Sequence, residues 1–307
     1  MPDLTQSNNL DLDDYRQLIS LDEPFILPTR LPETEPEREE IIKKLVTHLQ
    51  TELRNPQAGD LPSGHTEKRR LLKAMLTVRE PDPLPDWFNT LFDQLLQYER
   101  HQRLEITVQS LPTLAEAFPG TGYPAADRTI LWQGDITTLA ADAIVNAANN
   151  QLLGCFQPFH ACIDNVIHSA AGPQVREDCA RIVDAQGNLE GTGWAKVTRG
   201  YNLPSKFILH TVGPIVAGGR VTALHQEQLA GCYSACLDLA ARVTGVRSVA
   251  FCSISTGIFG YPKQQAAELA AETVSDWLGS HPGALDRVVF NVFLDEDREI
   301  YAGLMYG

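Results

Sequence analysis

The residues of this chain best able to do chemistry are concentrated in one short stretch. Cys155, His160 and Cys162 follow a C-x4-H-x-C spacing, and Asp164 comes two residues later. Thiolate and imidazole are the donors that zinc prefers. Three protein ligands leave one tetrahedral position open, which is the pattern of a catalytic rather than a closed structural site. Spacing alone leaves a second reading open, in which the thiols are unliganded core groups and the imidazole is an ordinary buried one. Asp164 also has two readings. It begins a helical stretch, where the dipole and free N–H groups favour any acid, and it could instead orient or activate a water. His168 lies four residues on, along the same helical face, and reads mainly as a packing or supporting group. His210, at the end of an apolar strand, reads as a structural histidine.

The elements around these residues fall into two textures. Over residues 35–101 the pattern is helical. Ile41, Ile42, Leu45, Val46 and Leu49 form one apolar stripe, Leu71, Leu72, Met75 and Leu76 a second, and Trp87, Phe88, Leu91, Phe92, Leu95 and Leu96 a third. Polar segments with Gly and Pro separate them at residues 55–64 and 81–85. This predicts a small helical subdomain that needs a partner surface. A Pro- and Gly-containing crossing at residues 112–127 follows. Short apolar strands then alternate with helical patterns, with strands expected at 129–132, 143–146, 196–199, 207–210, 248–253 and 288–293. Helices are expected at 162–170, 174–184, 222–243, 263–277 and 297–305. That alternation predicts an α/β fold with a sheet covered on both faces. The expected organisation is a helical N-terminal extension over residues 1–111 and an α/β domain over 112–307.

In open α/β sheets ligands sit beyond strand ends, and three loops meet that condition. Asp135 and Ile136 follow the first strand. Residues 146–162, with Asn149 among them, form the loop that carries the Cys and His residues. Ser255, Thr256, Gly257, Ile258, Phe259, Gly260 and Tyr261 follow the fifth strand; their two glycines permit close backbone approach to a diphosphate, and on its own such a segment reads equally as an ordinary strand-to-helix turn.

Bulk properties narrow the function. The chain has 307 residues, 43% hydrophobic and 21% charged, with a formal net charge of −14. That balance works against nucleic-acid or membrane-surface binding, which relies on Lys and Arg. It leaves room for a small phosphate ligand held by backbone amides. The N-terminus lacks a basic region followed by an apolar one, and no apolar run reaches about 18 residues. Six cysteines in this setting predict reduced thiols and a cytoplasmic location. Cys179, Cys232, Cys236 and Cys252 lie in apolar segments and are expected in the core.

Several short motifs, in order, carry a resemblance. Residues 134–137 (Gly-Asp-Ile-Thr) and 142–149 (Asp-Ala-Ile-Val-Asn-Ala-Ala-Asn) come first. Residues 163–172, 210–214 (His-Thr-Val-Gly-Pro) and 255–260 (Ser-Thr-Gly-Ile-Phe-Gly) continue it. From about Arg128 onward the chain resembles a macrodomain. Common hydrolase macrodomains carry a run of glycines before a Val-Asp pair where this chain carries residues 155–162, and that departure resembles the zinc-dependent macrodomains, which also carry a helical N-terminal extension. The resemblance implies a three-layer α/β/α macrodomain with a mixed, largely parallel sheet. It implies one Zn²⁺ per chain on Cys155, His160 and Cys162. It further implies removal of mono-ADP-ribose from modified protein side chains, with acidic-residue linkages favoured. The partners implied are ADP-ribose, mono-ADP-ribosylated protein and an ADP-ribosyltransferase. By position, Asp135 and Ile136 resemble the adenine contact and residues 255–261 the diphosphate loop, with Phe259 against the distal ribose. Phe293 resembles the ring packed on adenine. Asn149 resembles the amide that contacts the distal ribose, and Asp164, by its position two residues past Cys162, is read with it as catalytic. A non-catalytic ADP-ribose reader and an esterase acting on O-acetyl-ADP-ribose are the competing functions.

Overall fold

The computed structural model describes residues 9–52 and 61–306. The expected polar separator at residues 55–64 lies partly outside them, as do the first eight residues. The chain opens with a short helix, α1 (Leu12–Tyr15), followed by three longer helices, α2 (Glu35–Glu52), α3 (His65–Val78) and α4 (Asp86–His101). Their apolar stripes face one another, and Ile42, Leu45, Val46, Leu49, Leu72, Phe88, Phe92 and Leu95 form a separate small core. Heptad-like spacing of these residues is what lets three short amphipathic helices cover each other. Trp87, expected in the stripe, is 46% exposed. Its neighbour Phe88 takes the inward direction, and the indole packs edge-on against His48 instead.

Beyond α4 come β1 (Ile106–Thr107), α5 (Leu114–Ala117), β2 (Thr129–Gln133), β3 (Leu139–Ala140) and β4 (Ala143–Ala148). Then follow α6 (Ile163–Ala171), α7 (Pro173–Gln186), β5 (Ala195–Arg199), β6 (Phe207–Val212), α8 (Ala223–Arg242), β7 (Ser248–Phe251), α9 (Lys263–Ser280), β8 (Arg287–Val292) and α10 (Asp295–Tyr306). Six strands form one sheet in the order β2-β8-β7-β4-β6-β5, while β1 and β3 pair separately. All neighbours in the large sheet run parallel except β5, which is antiparallel to β6. Helices α8, α9 and α10 lie side by side on one face; α6 packs on β4 and α7 on β5. The central strands are buried on both faces, as the unbroken apolar run of Ala143, Ile144 and Val145 requires. The expected core thiols, Cys179, Cys232, Cys236 and Cys252, are all buried.

Two features tie the N-terminal helices to this sheet. Leu12, Tyr15, Ile19 and Leu21 belong to the core of the α/β unit rather than to that of α2–α4. The Tyr15 hydroxyl accepts from the Val197 N–H at 2.9 Å, which satisfies an outward-facing donor on edge strand β5. Further along, the α7 side chain of Arg176 donates to the carbonyls of Leu76, Thr77 and Arg79 at 3.1, 3.1 and 2.6 Å. Those are the carbonyls that the end of α3 would otherwise leave unpaired.

Because β2, β8, β7, β4 and β6 are parallel, their C-terminal ends share one edge of the sheet. All the sequence-predicted loops therefore open on that edge. Their order follows the strand order: residues 134–136, then 293, then 252–262, then 149–162, with residues 213–219 beside them.

Candidate functional site

At one end of this edge the Cys155, His160 and Cys162 donor atoms lie within 4.8 Å of one another. The Cys155 Sγ to His160 Nδ1 distance is 3.4 Å. A tetrahedral zinc with bonds of roughly 2.0–2.3 Å separates its ligands by roughly 3.5–3.8 Å, so the donor set has the dimensions of a metal site. The local sequence builds this loop by tight turns. Asn149 Oδ1 accepts from the Gln151 N–H at 2.9 Å, and its Nδ2 donates to the Gly154 carbonyl at 3.0 Å. Gly154 has φ of +77°. A Cβ there would also lie 3.0 Å from the His168 ring, so both conformation and packing demand glycine.

Cys162 caps α6, and its Sγ accepts from the Asn165 N–H at 3.4 Å. The Gln157 N–H donates to Cys155 Sγ at the same distance. Burial, reinforced by the nearby Cys155 and Asp164 charges and partly offset by the Asn165 N–H, pushes the Cys162 thiol up to about 11. A divalent cation would remove that penalty by pairing with the thiolate, which is the donor chemistry of a metal centre. Asn165 supports the loop a second time, donating from Nδ2 to the carbonyls of His160 and Gln157 at 2.9 and 3.3 Å.

Asp164 sits on the first turn of α6 and is 5% exposed. Asn146 Nδ2 donates to its Oδ1 at 2.8 Å, and Asn149 Nδ2 approaches Oδ2 at 3.4 Å. Burial raises the carboxyl to about 6 against the opposing Asn146 hydrogen bond. Asn149 is thus the amide that links the loop to this carboxylate. His168 is 7% exposed, with Nε2 3.4 Å from Asp164 Oδ1. Burial holds it neutral, well below its ordinary range. His210, fully buried, contacts Asn146 Nδ2 at 3.2 Å and Thr198 Oγ1 at 2.9 Å, and burial lowers it to about 3. It is a satisfied structural histidine.

The middle of the edge is a backbone loop. Ser255, at φ of +63°, and Tyr261 close it through a Tyr261 N–H bond to the Ser255 carbonyl at 3.0 Å. Gly260 N–H donates to the Gly257 carbonyl at 3.0 Å, and Val216 N–H donates to the Phe259 carbonyl at 2.7 Å. Gly257 and Ile258 are exposed, Thr256 is half-buried and the Tyr261 ring is buried. The Ser255 Oγ is buried without a partner. Gly213 lies against it: a Cβ at that position would meet Ser255 Oγ at 2.0 Å.

At the far end, Asp135 Oδ1 accepts from the Thr137 N–H at 2.9 Å and from its hydroxyl at 2.7 Å. Its Oδ2 accepts from Arg103 Nη2 at 2.5 Å. The Ile136 side chain is buried in the core, so it can offer a ligand only its backbone. Phe293, just past β8, is 71% exposed, and its carbonyl accepts from Gln133 Nε2 at 3.2 Å.

The structure thus places every sequence-predicted site residue along one sheet edge, with Asp135 and Phe293 at one end and the donor triad at the other. Sequence reasoning missed the supports. Asn146 and Asn165 stood in quoted motifs without a role. Arg103 and Arg176 lay in no motif. Phe156 and Phe159 lie under guanidinium groups, Arg176 at 4.6 Å and Arg70 at 4.3 Å. Through Arg70, helix α3 therefore reaches the loop that carries the donor triad.

Comparison with known proteins gives four matches. The Macro domain family matches residues 145–270. A protein-ADP-ribose hydrolase of Treponema medium is 44% identical over 261 residues, covering 85% of this chain and 96% of its own length. One from Staphylococcus aureus is 42% identical over 260 residues, covering 85% and 93%. Among solved structures, the Trypanosoma brucei macrodomain in complex with ADP-ribose superposes with a TM-score of 0.58 at 30% identity. That superposition covers 76% of this chain and 94% of the other.

Proposed function

The chain belongs to the macrodomain family, and from that premise we propose a zinc-dependent enzyme that removes mono-ADP-ribose from protein side chains, acidic ones foremost. The relatives named protein-ADP-ribose hydrolase support the hydrolase activity. The observation that carries the catalytic reading is Asp164. A carboxylate this buried is costly, yet it is held beside the donor triad by two asparagine amides. The expected alternative, a solvated acid at a helix start, does not need such a setting.

Cys155, His160 and Cys162 would hold the ion, which when bound supplies Lewis acidity at the distal-ribose end. This chain's own residues do the rest. Asn146 fixes Oδ1 of Asp164, which leaves Oδ2 only lightly held and free to accept a proton from water. Asn149, anchored to the Gly154 carbonyl, keeps a lone pair on Oδ1 beyond the Gln151 N–H with which to accept from a ribose hydroxyl. The loop at residues 255–261 lines the path of the diphosphate with exposed backbone and no bulk. Asp135 takes the adenine amine, and Phe293 offers an open ring face for the base.

The test couples metal analysis to a release assay on aspartate-, serine- and arginine-linked ADP-ribosyl protein. We expect about one zinc per chain by the ligand count and release from the aspartate linkage. Cys162→Ser should lose both. Full zinc in that variant would reject the ligand set. Binding of ADP-ribose without release from any linkage would make the protein a reader.

A further inference from the structure

The adenine end of the site draws on a residue from outside the α/β unit. Arg103 lies just past α4, in the turn where its N–H donates to the Arg100 carbonyl at 3.0 Å. Its Nη2 donates both to Asp135 Oδ2 at 2.5 Å and to Thr137 Oγ1 at 2.9 Å. Thr137 Oγ1 in turn donates to Asp135 Oδ1 at 2.7 Å. Three side chains from two parts of the chain therefore form one closed ring of hydrogen bonds.

Stability does not explain this ring. Both side chains of the ion pair are 40% exposed, and an ion pair that open contributes little to folding. What the ring does is fix a carboxylate. Asp135 Oδ1 is saturated by Thr137, and Oδ2 keeps one lone pair beyond the guanidinium. A donor arriving at the sheet edge finds that lone pair in one orientation rather than on a freely rotating group. Arg103 also offsets the Asp135 charge. A protein of net charge −14 must admit a ligand whose diphosphate is itself anionic, and an unpaired carboxylate beside it would repel that ligand. The remaining guanidinium N–H groups have no partner among the described residues. They lie next to the one acceptor a purine amine needs, and can donate to a purine ring nitrogen.

We propose that Arg103 is a positioning and specificity residue for adenine, which makes the N-terminal helical region part of the ligand site. The inference rests on Asp135 being the adenine contact.

Calorimetry and steady-state release on the full chain test it, with AMP and ribose 5-phosphate as competing ligands. Arg103→Ala should weaken ADP-ribose and AMP binding on the order of tenfold, the size of one charge-assisted hydrogen bond. KM for the modified protein should rise with kcat unchanged, since the base does not react. Inhibition by ribose 5-phosphate, which lacks the base, should not change. Arg103→Lys, which keeps the charge but not the planar fork, should recover part of the loss. Unchanged AMP affinity in Arg103→Ala, alongside a weakened Asp135→Ala, would overturn the role of Arg103 and leave the adenine site intact. Unchanged affinity in Asp135→Ala would overturn the adenine assignment itself. Equal loss of AMP and ribose 5-phosphate, or a fall in kcat, would reduce Arg103 to a structural prop.

Discussion

Asp164 and Asp135 both follow a parallel strand and both begin a helical turn, yet their surroundings are opposite. Asp164 is 5% exposed, raised to about 6 by burial and held by neutral amides. The Asp135 side chain is 40% exposed and held by a guanidinium and a hydroxyl. A carboxylate buried among neutral partners holds a proton more tightly than one in water. The two ends of the edge thus differ in setting, one carboxylate enclosed by amides and the other open to solvent beside a cation. The contrast extends to the supports. Helices α3 and α4 press on the back of the buried end through Arg176, Asn202 and Gln174, whereas Arg103, just past α4, reaches the exposed end.

The largest expected effect tests the buried end. Asp164→Ala should retain zinc and ADP-ribose binding yet lose release by about 10²–10⁴-fold, as removal of a general acid or base does. Zinc content, calorimetric affinity and turnover of one preparation check this together. Near-normal turnover would erase the difference between the two aspartates and leave Asp164 as a helix-start acid.

A smaller effect of a different kind belongs to the exposed end. Asp135→Ala should weaken free ADP-ribose by about ten- to a hundredfold, the loss of a hydrogen bond to a charged group, with kcat retained. A fall in kcat without change in affinity would put chemistry at the wrong end.

How far this contrast could be read beforehand depends on the kind of interaction. The strands of the large sheet were legible because burial on both faces leaves unbroken apolar runs, and β4 at residues 143–148 is only two residues longer than expected. The strand expected at 248–253 stops at Phe251, because the chain turns there toward the 255–261 loop. The donor triad was legible because its two thiols and imidazole stand at short spacing in the chain. Helix α1 was not: four residues carry no period, and its Tyr15 is buried only because the edge of β5 is there to receive it. Arg103 and Arg176 were invisible for the same reason. Each acts on a partner more than 30 residues away in sequence, and a single arginine in a helical region carries no sign of that.

The smallest expected effect concerns how α4 is held against the back of the buried end. Asp93 on α4 accepts from Asn202 Nδ2 at 2.6 Å and from Gln174 Nε2 at 3.0 Å, and burial raises it to about 6. An unfolded aspartate titrates near 3.8. Between about pH 4 and 6 the native state therefore binds the proton that the unfolded chain has released. Stability from this group is present at low pH and is lost as pH rises through 6. Asp93→Asn removes the titration, so every other carboxylate cancels in the difference between wild type and variant. Denaturant unfolding should show that difference shifting in favour of wild type by about 1 kcal/mol from pH 7 to pH 5. The Arg103–Asp135 pair lies open to solvent, so the contribution proposed for it to ADP-ribose affinity should fall with added salt. A pH-independent difference at Asp93 would show that the docked face is as open to solvent as the Asp135 end.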